Sequence, residues 1–303
     1  METPYAAIHE VAPKEEACLG RARIMLGFKE RRSFLSWLVV SAVMVVFAVS
    51  VVPLMDPSTM ERRMAPGEYY LHKDKKERMI IHVISVFGWM LLGLVQFVPR
   101  VRRVALGYHR WAGRVYFVCC AVLAASGFLM TGYAFGGSWS IWTASMTIFT
   151  CFVTTTVFGI VRIKQRRIKE HQAWMLRNYA CGSSVLWSRL SVALGMTRQF
   201  SEQWGVMECG QVLYELQEEP EDLQQYFPNC VADPSQHTAV STTGDTMASI
   251  IVSGRLAFGL GLWLGFIINM TAVELWIHRL EQIESEPQAE SMTKPETVAK
   301  PAE

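Results

Sequence analysis

Residues 109–134, HRWAGRVYFVCCAVLAASGFLMTGYA, decide how this chain is read. From Val115 to Ala134, twenty consecutive residues carry no charge. A helix of about that length, at 1.5 Å per residue, crosses a hydrocarbon core of roughly 30 Å. The stretch opens on His109, Arg110, Trp111, Arg114 and Tyr116. Cationic and aromatic side chains of this kind anchor a helix end at the lipid headgroups. Histidine is not needed for that task, yet the combination recurs: His171, Trp174, Arg177 and Tyr179 stand at the foot of another apolar run.

Working outward, the rest of the chain follows the same pattern. Of its 303 residues 51% are hydrophobic and 18% charged, against about a quarter charged in average soluble proteins. The deficit lies in long runs, at 34–54, 79–98, 113–134, 140–161, 173–196 and 248–273. The expected fold is therefore all-α, an integral membrane up-and-down bundle of six transmembrane helices. Short links between helices two and five favour antiparallel neighbours and a four-helix core. Residues 1–33 form a flexible leader, 34–281 the six-span domain and 282–303 a tail too polar to order. Loop 197–247 is expected to hold one short helix near 208–219, ended by Pro220, and then irregular chain.

Lysine and arginine set the orientation. The leader, the connection between spans two and three (Arg100 to Arg110) and that between spans four and five (Arg162 to Lys169) are basic, and six spans put them on one face. Both termini are then cytoplasmic and the acidic loop 197–247 is not. Loop 55–78, with Arg62, Arg63, Lys73, Lys75, Lys76 and Arg78, runs against the rule. A net charge of +2 is too small to imply a nucleic-acid partner. The partner implied is the lipid bilayer.

Cys209 and Cys230 are the only cysteines of the long loop. An oxidising compartment would let them bridge, if the loop brings the sulfurs together. No metal site is assigned.

Ionisable groups inside a span need a reason. His82 lies about one turn into span two and Arg189 about 24 Å along span five. The neighbours of Arg189 are Val185, Leu186, Trp187, Leu190 and Val192. Arg255 is near enough to a boundary to snorkel to water, and Glu274 is placed to pair with Arg177 or Arg114. His171, Trp174, Met175 and Asn178 share one helical stripe; His109, Gly113, Tyr116 and Cys120 form its counterpart. Two readings of the histidines stay open beside plain interfacial hydrogen bonding. They can ligate a b-type haem between two helices, with Arg114 and Arg177 as further cofactor-binding candidates, or act as general acid and base.

Taken together, His82, Leu92-Gly93-Leu94-Val95-Gln96-Phe97, the basic run Arg100 to Arg103, His109 to Tyr116, Ser126-Gly127, His171 to Tyr179 and Arg189-Leu190 resemble the predicted membrane proteins of domain of unknown function 2306. The likeness covers about 79–275. It implies a fold and candidate residues, but no reaction. More distantly, the arrangement looks like the four-helix cores of b-type cytochromes and ferric-reductase-like proteins, whose facing histidines hold haem. Here the histidines sit at the helix mouths and the outer pair is incomplete.

Three functions fit these residues. The first is a membrane redox protein with haem on His109 and His171 and a redox partner. The second is a cyclase- or isomerase-type membrane enzyme acting on a lipophilic biosynthetic intermediate, with His82 and Arg189 as catalytic candidates. The third is a transporter or structural membrane partner, weakened because the sequence shows neither an inverted repeat nor a broken helix pair.

Overall fold

The computed structural model describes residues 14–195, 202–217 and 220–293. In chain order the first helices are α1 (Lys14–Leu26), α2 (Arg31–Val51), α3 (Met60–Arg63), α4 (Glu68–His72), α5 (Lys76–Gln96), α6 (Pro99–Val104) and α7 (Leu106–Met130). Then come α8 (Trp139–Lys164), α9 (Ile168–Gly182), α10 (Val185–Ala193), β1 (Trp204–Glu208) and α11 (Cys209–Glu215). The chain continues through α12 (Pro220–Tyr226), α13 (Pro228–Ala232), β2 (His237–Ser241) and α14 (Met247–Thr293). Among the described residues, five helices are long and apolar enough to cross a membrane. The fold is that of an all-α integral membrane protein with one small sheet.

Two compact units divide the chain, residues 1–56 with 80–123 and residues 57–79 with 124–303. The four-helix core expected from spans two to five is split between them. In the first unit, the Trp37 indole donates to the Leu94 carbonyl at 3.1 Å, and Trp37 packs with Phe28 and Phe34. A Cβ at Gly88 would stand 2.8 Å from the Cys119 sulfur, so α5 and α7 touch where that side chain is missing. On α2, Val39, Val43, Val46 and Val49 are exposed, Val46 at 71%. Water would penalise such a face; lipid does not.

The second unit is built on α14. Across α10, Gly261 and Gly265 face Ser191 and Trp187 so closely that a Cβ on either would clash, within 2.2 Å of Ser191 Oγ and 2.5 Å of the Ser184 carbonyl. This is the small-xxx-small contact that lets membrane helices approach backbone to backbone. Phe135, Ile141, Ala144, Phe258 and Leu262 form the core beside it.

Segment 173–196 is not the single helix that its hydropathy suggests. It breaks at Ser183-Ser184 into α9 and α10, and residues from 196 to 201 lie outside those described. Both serine hydroxyls turn back to the Ala180 carbonyl, at 2.9 and 3.4 Å, a local bond that competes with the helical ladder. Asn269 of α14 fills the gap, donating to the Ala180 carbonyl (3.1 Å) and Ser183 Oγ (3.0 Å) and accepting from the Trp187 indole (3.0 Å). Backbone groups freed at membrane depth must be satisfied by protein in this way.

Loop 202–246 also differs from expectation. It is a folded module in which β1 and β2 pair antiparallel, Trp204 opposite Ser241 and Glu208 opposite His237. The short helix spans only 209–215, and Pro220 begins α12 instead of ending its predecessor, a first-turn position that suits proline. Cys209 and Cys230 form a disulfide with Cα atoms 4.8 Å apart. It sits in a core of Met207, Val212, Leu216, Phe227 and Val240 that rests on Ala248, Ile251 and Val252 of α14. At the chain ends, α1 occupies part of the leader and α14 runs on past 282 to Thr293.

The disulfide closes a sequence separation of 21 residues, and loop-closure entropy assigns such a link about 3 kcal/mol. Cys209→Ser is expected to lower the detergent-solubilised protein's Tm by several degrees and to leave Cys230 open to alkylation on unfolding. An unchanged Tm would remove the disulfide as a support of the module.

Candidate functional site

Four buried polar residues of the second unit, Glu68, His72, Gln211 and Arg255, gather around α4. Gly67, at φ +78, turns the chain into this helix so close to α14 that a Cβ there would meet Ile251 at 2.7 Å. Glu68 and His72 follow one turn apart, on one face, and are 2% and 0% exposed. The Glu68 carboxylate accepts the Phe135 N–H at Oε2, 2.8 Å away. The other oxygen, Oε1, lies 3.8 Å from Arg255 Nε. His72 Nε2 stands 3.7 Å from Glu68 Oε2, and its ring meets Tyr133 edge-on at 5.0 Å.

Arg255 does not snorkel. It is 8% exposed, donates from Nη2 to Gln211 Oε1 at 2.9 Å and pairs with Glu68. Gln211, itself buried, passes the chain on by donating to the Gly67 carbonyl at 2.7 Å. The disulfide thus holds the site indirectly, because Gln211 lies two residues from Cys209 on α11. Glu215 of the same helix is half-buried. Burial raises its carboxyl above the ordinary range; nearby Arg255 pulls it back, while Glu68 and Glu61 push it further up.

The turn between α7 and α8 completes the wall. Phe135 adopts φ 51, a left-handed conformation that costs a non-glycine residue about 1–2 kcal/mol. The bond to Glu68 and a parallel stack on Phe258, centroids 3.6 Å apart, hold it there. Arg189 lies beside this stack, its guanidinium carbon 4.9 and 5.3 Å from the two ring centroids. A cavity of about 200 Å³ opens among Glu68, Phe135, Val192, Ile250, Arg255 and Ala257. Glu68 Oε1, Arg255 Nε and both ring nitrogens of His72 are buried without a hydrogen bond among the described residues. Each such atom costs about 1–3 kcal/mol, so four in one cluster need a reason beyond folding.

The residues singled out in the sequence are dispersed. His82 is half-buried on α5 in the first unit, which also holds half-buried His109 and exposed Arg114. In the second unit, His171 Nδ1 donates to the Gly159 carbonyl at 2.8 Å. Arg177 is committed to a two-pronged pair with Glu274, at 2.6 and 2.7 Å. Buried Asn178 bridges α9 to α8 through Phe152 O, Thr155 Oγ1 and Thr156 Oγ1. Only Arg189 and Arg255 stand near the cavity. Sequence reasoning missed Glu68 and His72, in a stretch read as loop, and Gln211, on the short helix expected near 208–219. The available signal was the i, i+4 spacing of Glu68 and His72 directly after Gly67 and before an apolar run.

Residues 79–211 match the family model of the predicted membrane proteins DUF2306. The DUF2306 segment includes Arg189 and Gln211 and leaves Glu68, His72 and Arg255 outside. The chain is also 21% identical to the Ava biosynthesis cluster protein G of Aspergillus versicolor, over 85% of this chain and 92% of that protein. No solved structure matches.

Gly136 ties the turn to the site. At φ +77, an added Cβ would also stand 2.9 Å from Arg255 Nη1. Gly136→Ala is expected to destabilise the protein by about 1–3 kcal/mol, read as a fall in Tm. Gly132→Ala, which has open space around it, serves as the neutral control.

Proposed function

We propose that this membrane protein is an enzyme of the cyclase or isomerase type, acting on a lipophilic small molecule by acid–base chemistry. The observation that carries the reading is the pair of buried Glu68 and Arg255, with unsatisfied polar atoms, at the wall of an otherwise apolar cavity, backed by buried His72. Sites of this composition orient apolar ligands through a few convergent polar groups. Similarity to a protein named for a biosynthesis cluster supports a place in a biosynthetic pathway.

In this reading Arg255 Nε donates to a substrate oxygen and favours negative charge there. Glu68 takes a proton from the adjacent carbon and returns it elsewhere on the same molecule. His72, 3.7 Å behind the carboxylate, holds or supplies the proton between the two steps. Cyclisation and isomerisation only redistribute bonds and protons within one substrate, so no oxidant is called for.

His72→Phe preserves the ring packing against Tyr133 and removes both nitrogens. In native cells carrying this variant, mass spectrometry of lipid-soluble extracts should show one product lost and a precursor accumulated. Extracts identical to wild type, with the variant present in the membrane, would sink the enzyme reading.

The geometry of His171 favours a second reading, a b-haem redox protein. A histidine that donates from Nδ1 to a carbonyl presents Nε2 as its basic nitrogen, the arrangement that suits an axial ligand. Haem, when bound, would supply one-electron chemistry. Purified protein should then show a Soret band that His171→Ala abolishes; haem-free wild type excludes it.

For orientation, the basic connections at 100–110 and 162–169 support cytoplasmic termini. The disulfide of the module 202–246 supports its exposure to an oxidising compartment.

A further inference from the structure

Arg189 remains unused by the chemistry above. Arg189, Val192 and Ala193 lie at i, i+3 and i+4 on one face of α10, and Val192 and Ala193 line the cavity. The same face therefore carries apolar wall and guanidinium in sequence, one helical turn apart. Arg189 rests beside the Phe135–Phe258 stack, and Phe135 is itself a cavity wall. Its side chain is exposed, and among the described residues no carboxylate lies within ion-pair reach of it. Glu68, the acid that acts on it electrostatically, is already engaged by Phe135 and Arg255.

An arginine at apolar depth is costly unless an anion or water meets it. Planar guanidinium matches an oxyanion by two parallel hydrogen bonds. The cavity itself, about 200 Å³, admits only part of a drug-sized molecule. A ligand that reaches both the Glu68–Arg255 gap and Arg189 must therefore be elongated and amphiphilic.

Resting on the enzyme reading above, we propose that the substrate is a lipophilic molecule with an ionised oxygen group, a carboxylate or phosphate. That group is held by Arg189, while a neutral oxygen function of the same molecule reaches Arg255 and Glu68. Arg189 is then the binding residue that sets the substrate's register. Free amphiphile and membrane phospholipid offer the same anionic chemistry, and competition separates them.

The test uses the full chain in dodecyl maltoside, which has no charge and no phosphate. cis-Parinaric acid, a fluorescent carboxylate, is titrated and read by energy transfer from tryptophan, with Trp187 and Trp263 near the site. Saturable binding is expected. Arg189→Gln should weaken it about tenfold or more, the worth of one charge-assisted contact, and Arg189→Lys should restore part of it. The methyl ester of the probe should bind wild type as weakly as the acid binds Arg189→Gln. Displacement by laurate but not by phosphatidylglycerol is expected for a free amphiphile; the reverse order overturns the substrate assignment and leaves a lipid site. Equal binding of acid and ester to wild type, or equal binding by wild type and a folded Arg189→Gln, overturns the proposal. Arg189-dependent binding together with unaltered extracts from the His72→Phe cells would remove the enzyme reading alone.

Discussion

A single carboxylate organises the second unit. Glu68 binds the N–H of a left-handed phenylalanine with one oxygen and faces a buried arginine with the other. Both partners belong to segments far from it in sequence, the α7–α8 turn and α14. Taking a carboxylate and a guanidinium out of water costs several kcal/mol per ion. Their attraction offsets that only because neutral donors and acceptors, the Phe135 amide and the Gln211 side chain, complete the surroundings. The packing of α4, the shape of the turn and the seating of the 202–246 module on α14 are tied to this placement.

The same placement explains how the cavity exists at all. Membrane helices tend to close on one another through small residues, as Gly261 and Gly265 do against α10. Above that contact the polar side chains, the stacked rings and the left-handed turn prevent further closure. Glu68 Oε1 and Arg255 Nε then stand at the opening with no hydrogen bond among the described residues. Function and packing divide along α14 within about two helical turns.

Much of the fold was legible in the sequence because lipid imposes a simple rule: about twenty uncharged residues make a span. That rule recovered five helices to within several residues, except at the C-terminal end of α14, which runs on from 273 to Thr293. It misjudged 173–196, since hydropathy does not sense the serine pair and Asn269 that divide α9 from α10. It also missed the sheet of the 202–246 module, whose strands are five residues long and separated by three helices. The site was less legible. Histidines that repeat beside tryptophan and arginine draw the eye, yet His109 and His171 belong to separate units, and Arg177 serves a structural pair with Glu274. Glu68 and His72 stood in a charged stretch that looked like an ordinary loop, and their meaning depends on Arg255, far along the chain on α14. Arg189, conspicuous for its apolar neighbours, and Arg255, read as snorkelling to water, were marked from the sequence and stand at or beside the cavity.

The disulfide in the module has a consequence for where the protein becomes competent. Gln211, which steers Arg255, sits on the short helix that begins at Cys209. Seven residues of helix have little stability of their own, so their position is borrowed from the bridge to Cys230. Alignment of the arginine with its acid therefore depends on oxidation of the two thiols. With those thiols reduced, the chain would carry every span and yet an unfinished centre.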